Sequence, residues 1–264
     1  MNRSPGMNLR WPEQEQRFLV DPDEVHRFLA AVQPHLPVQV HDPARPVEFV
    51  RTTYFDSDDD ILLRSRAPGR ECRVRVRQYA DAPDHVAPPR LRSDCAFEVK
   101  ESSPTGRHKV RALGTPDEIG RMVGARAGSV RALGSGRISP LLAHAARAIE
   151  CGQLAPRLTT WYRRLALEAG AVRVTVDQQI EFARPIGLGP AGEHAAPRAV
   201  AGRGPDLVLE VKLRAAPPDW LLQAMRRLAV LTQFSKFRDG LLALRSAERP
   251  PRPAPARARS VPPS

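Results

Sequence analysis

From residue 71 to 79 the chain alternates with a period of two. Arg73, Arg75 and Arg77 fall on one face of an extended strand, and Cys72, Val74 and Val76 on the other. The pattern returns three times. Glu98 and Lys100 oppose Phe97 and Val99; Arg173, Thr175 and Asp177 oppose Val172, Val174 and Val176; Glu210 and Lys212 oppose Leu209, Val211 and Leu213. Each strand must bury its apolar face, and its charged face must either meet water or curl inward. A single strand of this kind reads most simply as half-solvated. Four together do not, because a solvated face mixes Thr, Ser, Gln and both charge signs, whereas these are dominated by Arg and Lys with a few carboxylates.

The 264 residues suffice for one large domain with a full core. A formal net charge of +12 requires an anionic counterpart, and nucleic acid, an anionic membrane and a small polyanion are the candidates. High Arg relative to Lys, with abundant Ala and Pro, points to a GC-rich genome, so the Arg count alone is no argument. Cys72, Cys95 and Cys151 lack metal-ligand spacing, which predicts reduced thiols and a cytoplasmic protein. No apolar signal segment or membrane-spanning window is seen, so no membrane segment of its own is expected.

Residues 1–12 read as a disordered lead-in, 13–246 as a single domain, and 247–264 as a disordered Pro/Arg-rich tail. Asp21, Pro22 and Glu24 predict a capped helix that Pro34 ends; Thr115-Pro116 and Ser139-Pro140 begin two more. Strands are predicted over 46–56, 71–79, 95–101, 157–168, 171–182 and 206–214, a long loop over 184–205, and helices over 217–231 and after Ser235. Phe97-Glu98-Val99-Lys100 recurs as Leu209-Glu210-Val211-Lys212, which predicts one domain of two similar halves.

The fold class expected is α+β: a closed antiparallel β-barrel tunnel with a charged lumen, its apolar outer face covered by helices. About eight antiparallel strands close around a space that holds one small ligand. A lumen of Arg and Lys is unstable when empty, and a phosphate chain would neutralise it. Arg supplies bidentate forks and Lys a point charge. Glu98 and Glu210 are candidates for a divalent metal, with an internal salt bridge the simpler role for Glu98. Other signals fail. Gly187-Leu188-Gly189-Pro190-Ala191-Gly192 has no strand before it or helix after it. Asp56, Asp58 and Asp60 are followed by Ile61 where a calcium loop needs glycine. The basic residues lack the aromatic interleaving of a nucleic-acid platform, so no nucleic acid is expected.

Seven segments occur in the order found in a known family: Thr53-Tyr54-Phe55-Asp56-Ser57, Arg75-Val76-Arg77, Phe97-Glu98-Val99-Lys100, Tyr162-Arg163-Arg164, Val172-Arg173-Val174-Thr175-Val176-Asp177, Leu209-Glu210-Val211-Lys212 and Phe234-Ser235-Lys236-Phe237. Over roughly 13–243 the chain resembles the VTC domain of the triphosphate tunnel metalloenzyme (CYTH-like) superfamily. The resemblance implies a metal-dependent polyphosphate polymerase that moves the γ-phosphate of ATP to a growing polyphosphate chain. It implies Mn²⁺ or Mg²⁺ on Glu210, and catalytic phosphate contacts at Arg75, Arg77, Lys100, Arg164, Arg173 and Lys212. Arg17, Tyr162, Ser235, Lys236 and Glu98 are implied as substrate-binding residues. ATP and polyphosphate are the implied partners, and a separate membrane protein that carries product away is an open one. Two positions depart from the pattern: Arg17 and Gln233 stand where the family has Lys. Glu13-Gln14-Glu15-Gln16-Arg17 also resembles the ExExK start of triphosphatases and class IV adenylate cyclases, so hydrolysis of triphosphates and non-catalytic polyphosphate binding are the alternatives.

Overall fold

The computed structural model describes residues 14–64, 71–103, 106–123, 139–228 and 234–248. The lead-in, Glu13, Gln233 and all but the first two residues of the expected tail lie outside these. The strands are β1 (Gln14–Leu19), β2 (Val47–Asp56), β3 (Glu71–Ala82), β4 (Arg90–Ser103), β5 (Gly106–Gly114), β6 (Ala155–Ala169), β7 (Val172–Ala183), β8 (Gly202–Arg203) and β9 (Leu207–Leu213). The helices are α1 (Pro22–Val32), α2 (Ile61–Arg64), α3 (Pro116–Val123), α4 (Pro140–Glu150), α5 (Asp219–Met225) and α6 (Lys236–Glu248). The α+β class is as expected. β1, β5, α2 and the two-residue β8 are additions to the elements the sequence predicted, α6 is longer than expected, and α5 is shorter.

Local chemistry accounts for the helix starts. Asp21 accepts from the Glu24 backbone N–H at 2.7 Å while the Glu24 carboxylate accepts from the Asp21 N–H at 3.0 Å, so two orphan donors of α1 are satisfied reciprocally. Thr115 and Glu118 do the same for α3. Ser139 precedes α4 but makes no side-chain cap bond. Buried Asp56, at the end of β2, accepts from the backbone of Ser57, Leu62 and Leu63, and so turns the chain into α2.

All nine strands form one antiparallel sheet, in the order β1-β9-β7-β6-β2-β3-β4-β5 with β8 on β7. The order is symmetric about the β6–β2 pair, and this is the structural content of the repeated tetrapeptides. β4 and β9 are each the second strand out from that pair. Glu98 lies opposite Arg75 of β3, and Glu210 opposite Thr175 of β7.

The sheet is strongly curled. β1 and β4 are six strand spacings apart, about 29 Å on a flat sheet, yet Lys100 Nζ of β4 lies 3.3 Å from Glu15 Oε2 of β1. Only a sheet whose ends come round toward each other allows that contact. Among the described residues no ladder joins β1 to β5, so the closed barrel expected from sequence is corrected to a curled sheet not closed by hydrogen bonds.

Two apolar clusters cover the outer face. α1 and α5 pack on Phe18, Val174, Val176, Leu209 and Val211, and α3 and α4 pack on Val74, Val76, Phe97 and Val99. A third cluster departs from expectation. Tyr54 lies opposite Arg75 in register and so shares the inner face, and it clusters with Tyr162, Leu158, Phe237, Leu241 and Leu244. α6 therefore plugs part of the inner face. Gly240 permits this: a Cβ there would lie 2.6 Å from Leu158 Cδ2 and 2.8 Å from Phe182 Cδ1.

Candidate phosphate-binding cavity

What remains of the inner face is a cavity of about 250 Å³. Seven arginines (17, 73, 75, 77, 111, 164 and 173) and four lysines (100, 109, 212 and 236) line it, against two carboxylates, Glu15 and Glu210. Alternation produces this wall, since every charged residue of the strand patterns points inward. Arg75, Arg77, Lys100, Arg164, Arg173, Lys212, Arg17, Tyr162, Ser235, Lys236 and Glu210 all lie on the wall. Glu98 does not: it is fully buried beneath the wall.

Three groups hold the cations in place. Around Glu98, Arg75 pairs at 2.8 Å, Lys109 at 2.6 Å, Arg111 at 3.7 Å and Arg77 at 3.9 Å. Burial pushes the Glu98 carboxyl up, but Arg75, Arg77 and Lys109 outweigh it and hold it far below the usual range. Burial, against the pull of Glu98, brings Lys109 down to about 8, with Arg75 and Arg77 adding to the fall.

The second group is Asp177, also buried. Arg164 grips it with two bonds of 2.7 and 2.8 Å, and Lys236 reaches it at 2.6 Å. Burial opposes ionisation of Asp177, and these two cations reverse that. Both cations also lie over the Tyr162 ring, Lys236 at 4.7 Å and Arg164 at 5.2 Å from its centroid. Ser235 precedes α6; its N–H donates to Asp239 at 2.8 Å, which sets the first turn that carries Lys236.

The third group holds the two carboxylates that line the cavity. Arg17 donates to Glu210 at 2.9 Å and also pairs with Glu15. Lys212 Nζ stands 3.1 Å from Glu210 and 3.8 Å from Glu15. Burial would raise Glu210, and Lys212, Arg17 and Arg164 bring it well below its ordinary value. Two carboxylates within 4 Å of one ammonium form a hard-oxygen pair that fits a divalent cation taking its other ligands from water and phosphate. Among the described residues no three His, Cys, Asp or Glu cluster as a complete ligand set.

Glu15, Tyr54, Arg73, Tyr79, Lys109 and Arg111 also line the cavity and were not among the residues picked from sequence. Arg73 was visible in the same alternation as Arg75. Lys109-Val110-Arg111-Ala112 alternates too, within a short strand bounded by glycines. Tyr54 carried no charge to mark its face.

The family model of the VTC domain matches residues 12–245. No match is found among curated protein sequences. Among solved structures, a putative adenylate cyclase from Bacillus halodurans is 14% identical and covers 86% of this chain and 96% of its own, with a TM-score of 0.49. A putative adenylyl cyclase from Hippeastrum, described as having a dominant triphosphatase activity, is 13% identical over 90% of this chain and 97% of its own, with a TM-score of 0.44.

Proposed function

The chain belongs to the VTC domain family, and from that premise we propose that it is a metal-dependent phosphotransferase that passes the γ-phosphate of ATP to a growing polyphosphate chain. The observation that carries the reading is the gathering of eleven cationic side chains against two carboxylates in one cavity. Glu98 and Asp177 beneath the wall offset part of this charge, and a bound polyanion would neutralise the excess.

Phosphoryl transfer requires positioning and charge stabilisation rather than covalent participation by the protein. A terminal oxygen of the acceptor forms a bond to the γ-phosphorus, the bond from that phosphorus to the β–γ bridging oxygen breaks, and ADP leaves. Arg75, Arg77 and Lys100 grip the phosphate oxygens from one side, and Arg164 and Arg173 from the other. Lys212 and Lys236 orient the accepting end. Ser235 and Tyr162 support them, and Glu98 acts from behind, as the counter-ion that aims Arg75 and Arg77. Glu210, with Glu15, would hold Mn²⁺ or Mg²⁺, which neutralises charge on phosphate oxygens when bound. Arg17 keeps the charge of the family's lysine but gives up no proton at neutral pH.

One observation favours a second reading, a triphosphatase in which water is the acceptor. β1 carries Glu15 and Arg17 of the ExExK-like start directly into the cavity, beside Glu210. Incubation with ATP and Mn²⁺, with and without a short polyphosphate primer, separates the two. Long phosphate chains plus ADP, lost in Glu210→Gln, support the polymerase. Orthophosphate alone supports the hydrolase, and tight polyphosphate binding without turnover overturns both.

A further inference from the structure

The chain has three tyrosines, and all three line this one cavity. Two use their rings to support a cation: Tyr162 lies under Lys236 and Arg164, and Tyr79 under Arg92 at 5.2 Å. Tyr54 is different. Its ring stacks on Phe237, with centroids 5.1 Å apart, and no cation of the described residues lies over it. The residue is 5% exposed, and no described residue hydrogen-bonds its hydroxyl.

A buried phenol normally finds a partner for its O–H. The groups that act on Tyr54 are Arg73, Arg75 and Arg77 from β3 and Lys236 from α6. All four are cations, and none can accept a proton. Burial raises the phenol, but these cations together hold it below its ordinary value. An O–H among donors, facing a cavity and without an acceptor among the described residues, is suited to an arriving anion.

We propose that the Tyr54 hydroxyl is a direct ligand of the bound phosphate chain, donating a hydrogen bond to a phosphate oxygen held between Arg75 and Lys236. The inference rests on the reading of the cavity as a phosphate site. It adds a neutral donor to a wall of cations. Stacking on Phe237 fixes the ring, so the hydroxyl prefers an oxygen at one position along the chain rather than any nearby charge.

Tyr54→Phe keeps the ring and removes only the donor. With tripolyphosphate as the probe, calorimetry on the full chain is expected to show affinity about tenfold weaker, the size of a hydrogen bond to a charged group. The melting temperature without anion should stay unchanged. The wild-type protein supplies a second, independent measurement. In an alkaline titration followed by tyrosinate absorbance, Tyr54 should ionise first, and saturating tripolyphosphate should move that step upward because the bound phosphate requires the proton. Equal affinity in Tyr54→Phe, or a first step that ignores the ligand, overturns the inference and leaves the phosphate reading intact. A wild-type protein that does not bind tripolyphosphate overturns both.

Discussion

Glu98 and Glu210 occupy matching positions in the two halves of the sheet, each on a Glu-Val-Lys run two strands out from the β6–β2 pair. Their surroundings differ on both flanking strands: Arg75, Arg77 and Lys109 near Glu98 correspond to Thr175, Asp177 and Glu15 near Glu210. Opposite Glu98 stands Arg75; opposite Glu210 stands Thr175, whose buried Oγ1 has no hydrogen-bond partner among the described residues. Glu98 is consequently sealed under four cations, while Glu210 keeps 16% of its side chain exposed on the cavity wall with a second carboxylate beside it. One Glu-Val-Lys run thus supplies the internal counter-ion of a cationic wall, and the other the acidic spot on that wall. Three exchanges of flanking residues, Arg75 for Thr175, Arg77 for Asp177 and Lys109 for Glu15, separate a sealed carboxylate from one on the cavity wall.

The largest expected effect tests that separation directly. Glu98→Gln removes the one negative charge shared by four cations and should cost about 3–5 kcal/mol, the usual consequence of orphaning buried charge. Urea denaturation reads this, and added tripolyphosphate should recover much of the loss by supplying charge to the same cations. Glu210→Gln should abolish turnover while costing no more than about 1–2 kcal/mol, since Glu15 still compensates Arg17 and Lys212. Equal destabilisation by the two variants would dissolve the contrast. The acid limb of stability follows with the same sign. The carboxyls of Glu98 and Asp177 lie below their ordinary values in the folded protein. Their contribution is therefore complete above about pH 4.5 and is lost as pH falls through the folded values.

Exchanging the residue directly opposite each glutamate gives the next effect. Thr175→Arg places a guanidinium beside Glu210 as Arg75 stands beside Glu98. Mn²⁺ affinity, read by electron paramagnetic resonance, should fall tenfold or more, whereas tripolyphosphate affinity should hold or rise. Arg75→Thr should do the reverse: anion affinity falls by about 10- to 100-fold and Mn²⁺ binding is spared. Loss of both ligands in both variants would show that the halves do not divide the work.

Lys109 sharpens the comparison through pH, because burial in the Glu98 half brings this cation down to about 8. A bound polyanion favours its charged form, so tripolyphosphate affinity should be level below pH 8 and decline above it. Lys109→Arg should flatten that decline by a few-fold, which calorimetry at pH 7 and 9 would detect.

Much of this was legible beforehand because alternation in a strand records the face of every residue. Arg75, Arg77, Lys100, Arg164 and Lys212 reach the wall for that reason. Three features were not. Curling without hydrogen-bonded closure depends on the meeting of β1 and β4, some 85 residues apart at the Glu15–Lys100 contact, and no local pattern encodes it. α6 occupies the inner face because Gly240 lets Leu158 and Phe182 approach it, a fact of packing rather than of periodicity. Glu98 carries the same motif as Glu210, and only the flanking strands reveal that one is sealed and the other open.

The smallest effect concerns the next pair along the same two strands. Arg73 and Arg173 lie opposite Lys100 and Lys212, and both line the cavity. Arg73 pairs with Glu71 at 2.7 Å with 15% of its side chain exposed; Arg173 pairs with Glu168 at 3.5 Å with 38% exposed. An exposed pair is worth about 0.2–1 kcal/mol because water and salt screen it. Arg173→Ala should therefore leave the urea midpoint nearly unchanged and weaken tripolyphosphate only two- to threefold at low salt, an effect that disappears as ionic strength rises. Arg73→Ala, made at the less exposed of the two sites, should weaken it more and keep that loss in salt. A large, salt-resistant loss from Arg173→Ala would instead place the phosphate chain against the β7–β9 half, and would make Lys212 and Glu210 neighbours of the same phosphate.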